Sequence, residues 1–213
     1  MYKIDCMSDT HSLHRKMNID NLGGDMVIHA GDFTATGKGY MIEDFALWYK
    51  SLPYRHHILI AGNHDFDLQN NEDYWKNYFR EKDIIYLRDN FIIVDGISIY
   101  GMPWTPEFYD WAFMYEKGSR FAYDKIDLIS DNLDILVTHG PPMGIMDIVR
   151  ASGENIGCNM LLQKVLQVKP KYHIFGHAHH QYGIKNYEGI TFVKPAILNE
   201  QRILTNNPIT IWM

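Results

Sequence analysis

Short apolar runs recur along the chain, each closed by glycine, proline or a small polar residue: YKIDCM, MVIHA, HILIA, FIIV, ISIY, DILV, YHIF, ITFV and ITIWM. Runs this brief, bounded by turn residues, predict buried strands. FIIV and ISIY are joined by Asp95-Gly96, which adopts positive φ angles readily, so a tight hairpin is predicted there. A turn across residues 186–189 leads into ITFV. Between the early strands the period changes. Residues 40–52 place Met41, Phe45, Leu47 and Trp48 near one helical face, and Pro53 stops the helix. Residues 71–82 begin acidic and end basic, which suits the helix dipole. Residues 159–168 form a third helical pattern. Strands alternating with helices and then pairing as hairpins predict a mixed α/β fold, with two packed sheets and helices outside. No linker, repeat or low-complexity stretch divides the chain, so residues 1–213 are expected to form one domain.

The polar residues that follow the strands carry the chemistry. YKIDCM leads to Asp9 and His11, and MVIHA to Asp32. HILIA leads to Asn63, His64 and Asp65, DILV to His139, and YHIF to His177 and His179. Ligands of α/β sheets bind beyond the carboxyl ends of strands, so parallel neighbours would bring all five clusters to one rim. Imidazole suits zinc and iron, and carboxylate and amide oxygens suit manganese and magnesium. This is too many donors for one tetrahedral ion. It suits two ions sharing a carboxylate. Gly31, Gly62 and Gly176 would let the backbone approach a bound group closely. Residues 176–180 read GHAHH. In an extended loop His177 and His179 would face the site together, with His180 turned elsewhere.

Composition narrows the field. Of 213 residues, 46% are hydrophobic and 22% charged, as in an ordinary globular protein, and the net charge is −6. That sign argues against a nucleic-acid coat or an anionic-membrane binder. No run approaches the ~20 apolar residues of a membrane span, and the first residues lack the apolar core of a signal peptide. Cys6 and Cys158 are the only cysteines and read as buried thiols of a reducing compartment. A cytoplasmic location is the expectation. There is no P-loop, HExxH or GxSxG motif.

The ordered set DTH (9–11), GD (31–32), GNHD (62–65), His139 and GHAH (176–179) resembles the calcineurin-like metallophosphoesterases. CMSDTHS, IHAGDFTATG, YGMPWTPEFYDWAF, THGPPMGIMD and NNPI look like a narrower group, the brain-type metallophosphoesterase-domain proteins and their bacterial and viral relatives. His180 stands where that group is expected to carry Glu. The resemblance implies an α/β/β/α sandwich of two mixed sheets flanked by helices. It implies two divalent transition-metal ions, manganese foremost, with iron, zinc, cobalt or nickel as alternatives. Asp9, His11, Asp32 and His179 would hold one ion. Asp32, Asn63, His139 and His177 would hold the other, with Asp32 bridging. His64 would face the phosphate and protonate the leaving oxygen, with Asp65 orienting it.

The implied reaction is phosphoester hydrolysis by a hydroxide shared between the ions. Two divalent ions less two carboxylates and that hydroxide leave one positive charge, which favours a phosphodiester monoanion. The expected partner is a small phosphoester, foremost a nucleotide or cyclic nucleotide, with a phosphomonoester as the alternative. A non-catalytic scaffold is disfavoured because every ligand position and the GNH histidine are present. GDFTATG lacks the arginine of family members that act on phosphoproteins. Residues 101–113 are aromatic enough to wall a pocket, with Trp104 as the residue expected to stack on a base.

Overall fold

The computed structural model describes residues 1–150 and 152–213. The chain begins β1 (Lys3–Met7), β2 (Gly24–Ala30), α1 (Gly39–Ser51), β3 (Tyr54–Ile60), α2 (Phe66–Asn70), α3 (Glu72–Glu81) and β4 (Ile85–Tyr86). It continues β5 (Asn90–Val94), β6 (Ile97–Met102), β7 (Thr105–Pro106), β8 (Met114–Tyr115), α4 (Arg120–Asp127) and β9 (Ile135–Thr138). It ends α5 (Asn159–Val168), β10 (Tyr172–Phe175), β11 (Gly183–Tyr187), β12 (Ile190–Lys194) and β13 (Ile209–Trp212).

Eleven of these strands form two mixed sheets, and β7 and β8 pair as a short parallel ribbon. One has the order β13-β1-β2-β3-β4, the other β11-β12-β10-β9-β6-β5. Strands β1 to β4 run parallel, as do β12, β10, β9 and β6, while β13, β11 and β5 are antiparallel edges. The five strands that carry the polar clusters are therefore shared between sheets, three in one and two in the other, rather than adjacent in a single sheet.

Both faces of the central strands are buried, which is why they read as continuous apolar runs. Alternate residues face opposite ways. Ile4, Cys6, Met26, Ile28 and Ile58 meet Ile99, Ile135, Val137 and Ile174 in the layer between the sheets. Val27 and Leu59 face outward with the buried side of α1, and Leu136 and Phe175 with that of α5. The α1 face is Ile42, Phe45, Ala46, Trp48 and Tyr49; Leu47, expected on it, is exposed. Asp95 and Gly96 both have positive φ at the tip of the β5–β6 hairpin, as predicted from the sequence. The 186–189 turn is tighter than expected: Asn186 is already in β11, and only Glu188 and Gly189 turn the chain. The helical pattern at 71–82 is preceded by a separate short helix, α2. Both cysteines are free and buried, and the Cys158 Sγ accepts from Leu161 N at the start of α5.

His173, on the outer face of β10, is wholly buried against Phe175 and Phe192. Burial pulls it down to about 3. An unfolded histidine gains its proton near pH 6.5, so this residue's contribution to stability is complete above that pH. It is lost as pH falls toward about 3, at roughly 1.4 kcal/mol per pH unit. Urea unfolding of the metal-free protein between about pH 4 and 6 should show His173→Leu lowering the pH slope by about one proton's worth. An unchanged slope would mean that His173 is not neutral in the fold.

Candidate metal centre and catalytic cavity

The carboxyl ends of both sheets open on the same edge. The two sheets are pinned there by an Ala196 bridge to Ser8 and by His139 Nδ1 donating to Ala30 O at 2.9 Å. Asp9, His11, Asp32, Asn63, His64 and His139 are all buried there, with His177 and His179 part-buried. Donor atoms of Asp9, His11 and His179 lie within 4.8 Å of one another, those of Asp32, His139 and His177 form a second such group, and those of His11, Asp32 and His64 a third that overlaps both. Asp32 lies between the first two, its Oδ2 3.8 Å from His11 Nε2 and 3.3 Å from His139 Nε2. The Asn63 Oδ1 joins the second group, 3.0 Å from His139 Nε2 and 2.8 Å from His177 Nδ1.

These contacts test whether the residues suit metal ions. A backbone carbonyl only accepts, so His139 Nδ1 toward Ala30 O and His179 Nδ1 toward Asn199 O must be the protonated nitrogens. The Nε2 lone pairs then point inward, at Asp32 and Asn63 oxygens for His139 and at Asp9 Oδ1 and His11 Nε2 for His179. Acceptors converging on acceptors is stable only around positive charge, and the backbone carbonyls that fix the tautomers are the usual outer support of a metal site. Charge balance agrees. Burial opposes ionisation of Asp9 and Asp32, but the charges of and bonds to His179 and His139, respectively, hold both carboxyls well below the usual range. Burial lowers His139 too, yet Asp32 outweighs it and raises the imidazole to about 9, where a proton supplies the positive charge. His11 and His177 are pushed down by burial, to about 4 and about 3. The donor set fits divalent cations.

The local backbone is bent to make this possible. Asp9, His11, Asp32 and His177 all have positive φ, a strain on the order of 1 kcal/mol each. A Cβ on Gly62 would lie 2.3 Å from Asp32 Oδ1, and one on Gly176 would lie 2.4 Å from Asp9 Oδ2, so both positions require glycine. The φ of 71° at His177 also means that the GHAHH loop is not extended. Alternation therefore does not apply there, and His180, expected to point away, lines the cavity beside His177 and His179. Its carbonyl accepts from the buried Lys194 Nζ, which also donates to Met146 O; burial lowers this amine to about 8.

His64 sits beside His11 of the first sheet, their ring centroids 4.5 Å apart, and its two ring nitrogens have other partners. Its Nδ1 donates to Ala35 O at 2.7 Å, and its backbone N–H donates to Asp32 Oδ1 at 2.8 Å. Its Nε2 accepts from Arg202 Nη2 at 3.3 Å. The expectation that Asp65 orients this ring is not met. The Asp65 carboxylate accepts from Gly62 N, Asp32 N, Thr34 N and Thr34 Oγ1, all at 2.7–3.0 Å, leaving it no free lone pair for the imidazole. It stitches the loop after β2 to the loop after β3. Burial and the charge of Asp32 raise it to about 7 despite those donors.

A cavity of about 640 Å³ opens over the donor groups. Its wall includes Phe108, Tyr109 and Trp111, with the Trp111 ring 4.2 Å from that of His64. Ala112 N donates to Asn63 O and ties this wall to the donor loop. Trp104, the tryptophan expected to meet substrate, is elsewhere. It follows β6 directly, packs 4.9 Å from Phe121 of α4, donates to the Asp89 carboxylate and lies under Lys125. Within residues 101–113, only those beyond Thr105 line the cavity. Sequence reading also missed Arg202, which lies in a polar loop with no motif around it.

The fold and this converging set of histidines, carboxylates and one amide define a metal-dependent phosphoesterase, a hydrolase that uses divalent metal ions. The chain belongs to the calcineurin-like phosphoesterase family, whose profile matches residues 2–181. It is 38% identical to the metallophosphoesterase domain-containing protein 1 of Homo sapiens, over 97% of this chain and 69% of that protein. It is 34% identical to the Caenorhabditis elegans UPF0046 protein T07D4.2, over 96% of this chain and 58% of that one. Among solved structures it is similar to the phosphopantetheinyl hydrolase PptH of Mycobacterium tuberculosis, with a TM-score of 0.64 and 15% identity over 94% of this chain and 90% of that one. TT1561 of Thermus thermophilus gives 0.65 and 13% over 92% and 89%. At such identities the likeness is one of fold. Among the described residues no helix is long and apolar enough to cross a membrane.

Proposed function

We propose that the chain hydrolyses phosphodiesters of nucleotides or cyclic nucleotides. The observation that carries this reading is the aromatic wall of Phe108, Tyr109 and Trp111 standing directly beside His64. A phosphoryl group over the donor cluster would have room for an ester substituent against flat apolar rings, where base stacking contributes roughly 1–3 kcal/mol. The cavity volume is within the range of small-molecule sites.

In this reading Asp9, His11, Asp32 and His179 hold one ion, and Asp32, Asn63, His139 and His177 the other. Such ions, when bound, acidify a water and offset charge on the phosphoryl oxygens. Asp65 keeps the Asp32 and Asn63 loops in register through its four accepted bonds. His64 has its Nδ1–H committed to Ala35 O, and its Nε2, which accepts from Arg202 in the substrate-free protein, would take a proton from solvent once that contact is released and deliver it to the leaving oxygen. Manganese is the ion the mixed oxygen and nitrogen donors suit best, with iron, zinc, cobalt and nickel as the alternatives.

One observation favours the alternative, a phosphomonoesterase. The Arg202 guanidinium adds a positive charge beside His64, and a monoester dianion balances that charge better than a diester monoanion does. The test is hydrolysis of bis(p-nitrophenyl) phosphate and p-nitrophenyl phosphate by metal-loaded protein, followed by 2′,3′- and 3′,5′-cyclic nucleotides. Diester turnover is expected to exceed monoester turnover. The reverse order overturns the diester reading in favour of the monoesterase.

A further inference from the structure

We infer that Arg202 is a substrate-gripping residue, whose guanidinium binds the phosphoryl oxygens on the His64 side of the cavity. The inference deepens the phosphoesterase reading above and rests on it.

Three observations carry it. First, the guanidinium is delivered to the reacting centre: it lines the cavity, and its Nη2 is 3.3 Å from His64 Nε2. Second, His64 is its one side-chain partner among the described residues. Among the described residues no carboxylate forms an ion pair with it, and Glu200, two residues before it, accepts instead from Arg150 N. An arginine on the cavity wall that is not engaged in an ion pair is suited to an anionic ligand, and its planar fork matches phosphoryl oxygens.

Third, the turn that carries it is built rigidly and tied to the donor cluster. Asn199 Oδ1 accepts from Gln201 N and Ile203 N, and Asn199 N donates to Ile203 O. The Asn199 carbonyl accepts both from Arg202 N and from His179 Nδ1, so one oxygen fixes the arginine's backbone and a metal-site imidazole together. Arg202 itself is held at a φ of 57°, a left-handed conformation that costs a non-glycine residue energy and marks a constrained position. In the substrate-free protein the guanidinium donates to His64 Nε2. Phosphate oxygens, as charged acceptors, would draw that donor away and leave Nε2 free to face the leaving group.

The test uses the metal-loaded full chain with Arg202→Gln and Arg202→Lys. Metal analysis comes first, and both variants are expected to retain the wild-type metal content. Binding of inorganic phosphate, followed by calorimetry, is expected to weaken about 10- to 100-fold in Arg202→Gln and less in Arg202→Lys, the loss typical of one charge-assisted contact. The kcat/KM for both aryl phosphates should fall by a similar factor, because the grip is on the phosphoryl group that they share. Phosphate affinity within about twofold of wild type would overturn the proposal, as would metal loss in the variants, which would make Arg202 a support of the donor loop. If the wild-type protein hydrolyses no phosphoester, the phosphoesterase reading fails by itself. The phosphate-binding comparison still decides whether Arg202 grips the anion.

Discussion

His64→Ala is expected to keep both metal ions and to lower kcat by roughly 10²- to 10⁴-fold, the range for loss of a positioned general acid. Both halves of this result follow from how the residue is held. Its backbone N–H, which supports Asp32 Oδ1, survives the substitution, so the shared carboxylate keeps its orientation. The imidazole contributes Nδ1 to Ala35 O and Nε2 to Arg202 Nη2, so its removal breaks those two contacts and none made by the side chains of the two donor groups. Substrates with good leaving groups need less protonation and should suffer less, so p-nitrophenyl esters are expected to show a smaller loss than alkyl esters. Steady-state kinetics with paired leaving groups, alongside metal analysis, makes the measurement. Turnover within a few-fold of wild type on the alkyl ester would remove His64 from the chemistry.

Chelation of the metals should lower the melting temperature by roughly 15–30 °C. An ion at about a thousand times its dissociation constant contributes ~4 kcal/mol, so two contribute ~8. One kcal/mol corresponds to about 2–4 °C in a chain of this size. The structure gives a reason to expect the upper part of that range. The ion-free site crowds the oxygens of Asn63 and Asp32 around His139, where a single proton stands in for a divalent ion. It also holds Asp9, His11, Asp32 and His177 at strained φ angles without the bonds to ions that would offset that strain. Calorimetric melting of the metal-loaded protein, of the chelated protein and of the chelated protein with metal restored makes the measurement. A melting temperature unmoved by verified metal removal would show that these donors do not hold ions in the folded protein. Acid is expected to act as a chelator does, since histidine ligands must be neutral to bind.

Much of this molecule was legible from residue order because its central strands are buried on both faces and its chemistry follows them directly. A run such as HILIA ending in GNHD states both the strand and its cargo. The hairpin at Asp95-Gly96 was legible because two residues decide it. What was not legible depends on where loops travel. Trp104 and Trp111 are alike in sequence context, yet only the loop beyond Thr105 swings over the site, while Trp104 is drawn under α4 by Asp89 and Lys125. His180 defeated the alternation argument because one left-handed residue, His177, breaks the extended geometry on which that argument depends. Asp65 sits next to His64 in the chain, but adjacency says nothing about which donors a carboxylate meets when the backbone turns, and it meets four amide and hydroxyl donors instead. Arg202 carries no local signature. Its significance exists only after Asn199 has joined its turn to His179.

The placement of the donors in two sheets has a consequence for how the protein assembles. Asp9, His11, Asp32 and Asn63 come from the first 63 residues, and His139, His177 and His179 from the last 75. Each of the two donor groups takes members from both ends: His179 completes Asp9 and His11, and His139 and His177 complete Asp32. Neither half of the polypeptide therefore supplies a whole four-residue ligand set, although His11, Asp32 and His64 of the first half also lie within 4.8 Å of one another. A nascent chain that has emerged only as far as β8 displays isolated donors of ordinary weak affinity, and the tight sites come into being only when the second sheet docks. Ions bound by the proposed ligand sets would act as rivets set across a finished seam, captured only by a chain that had already completed its fold.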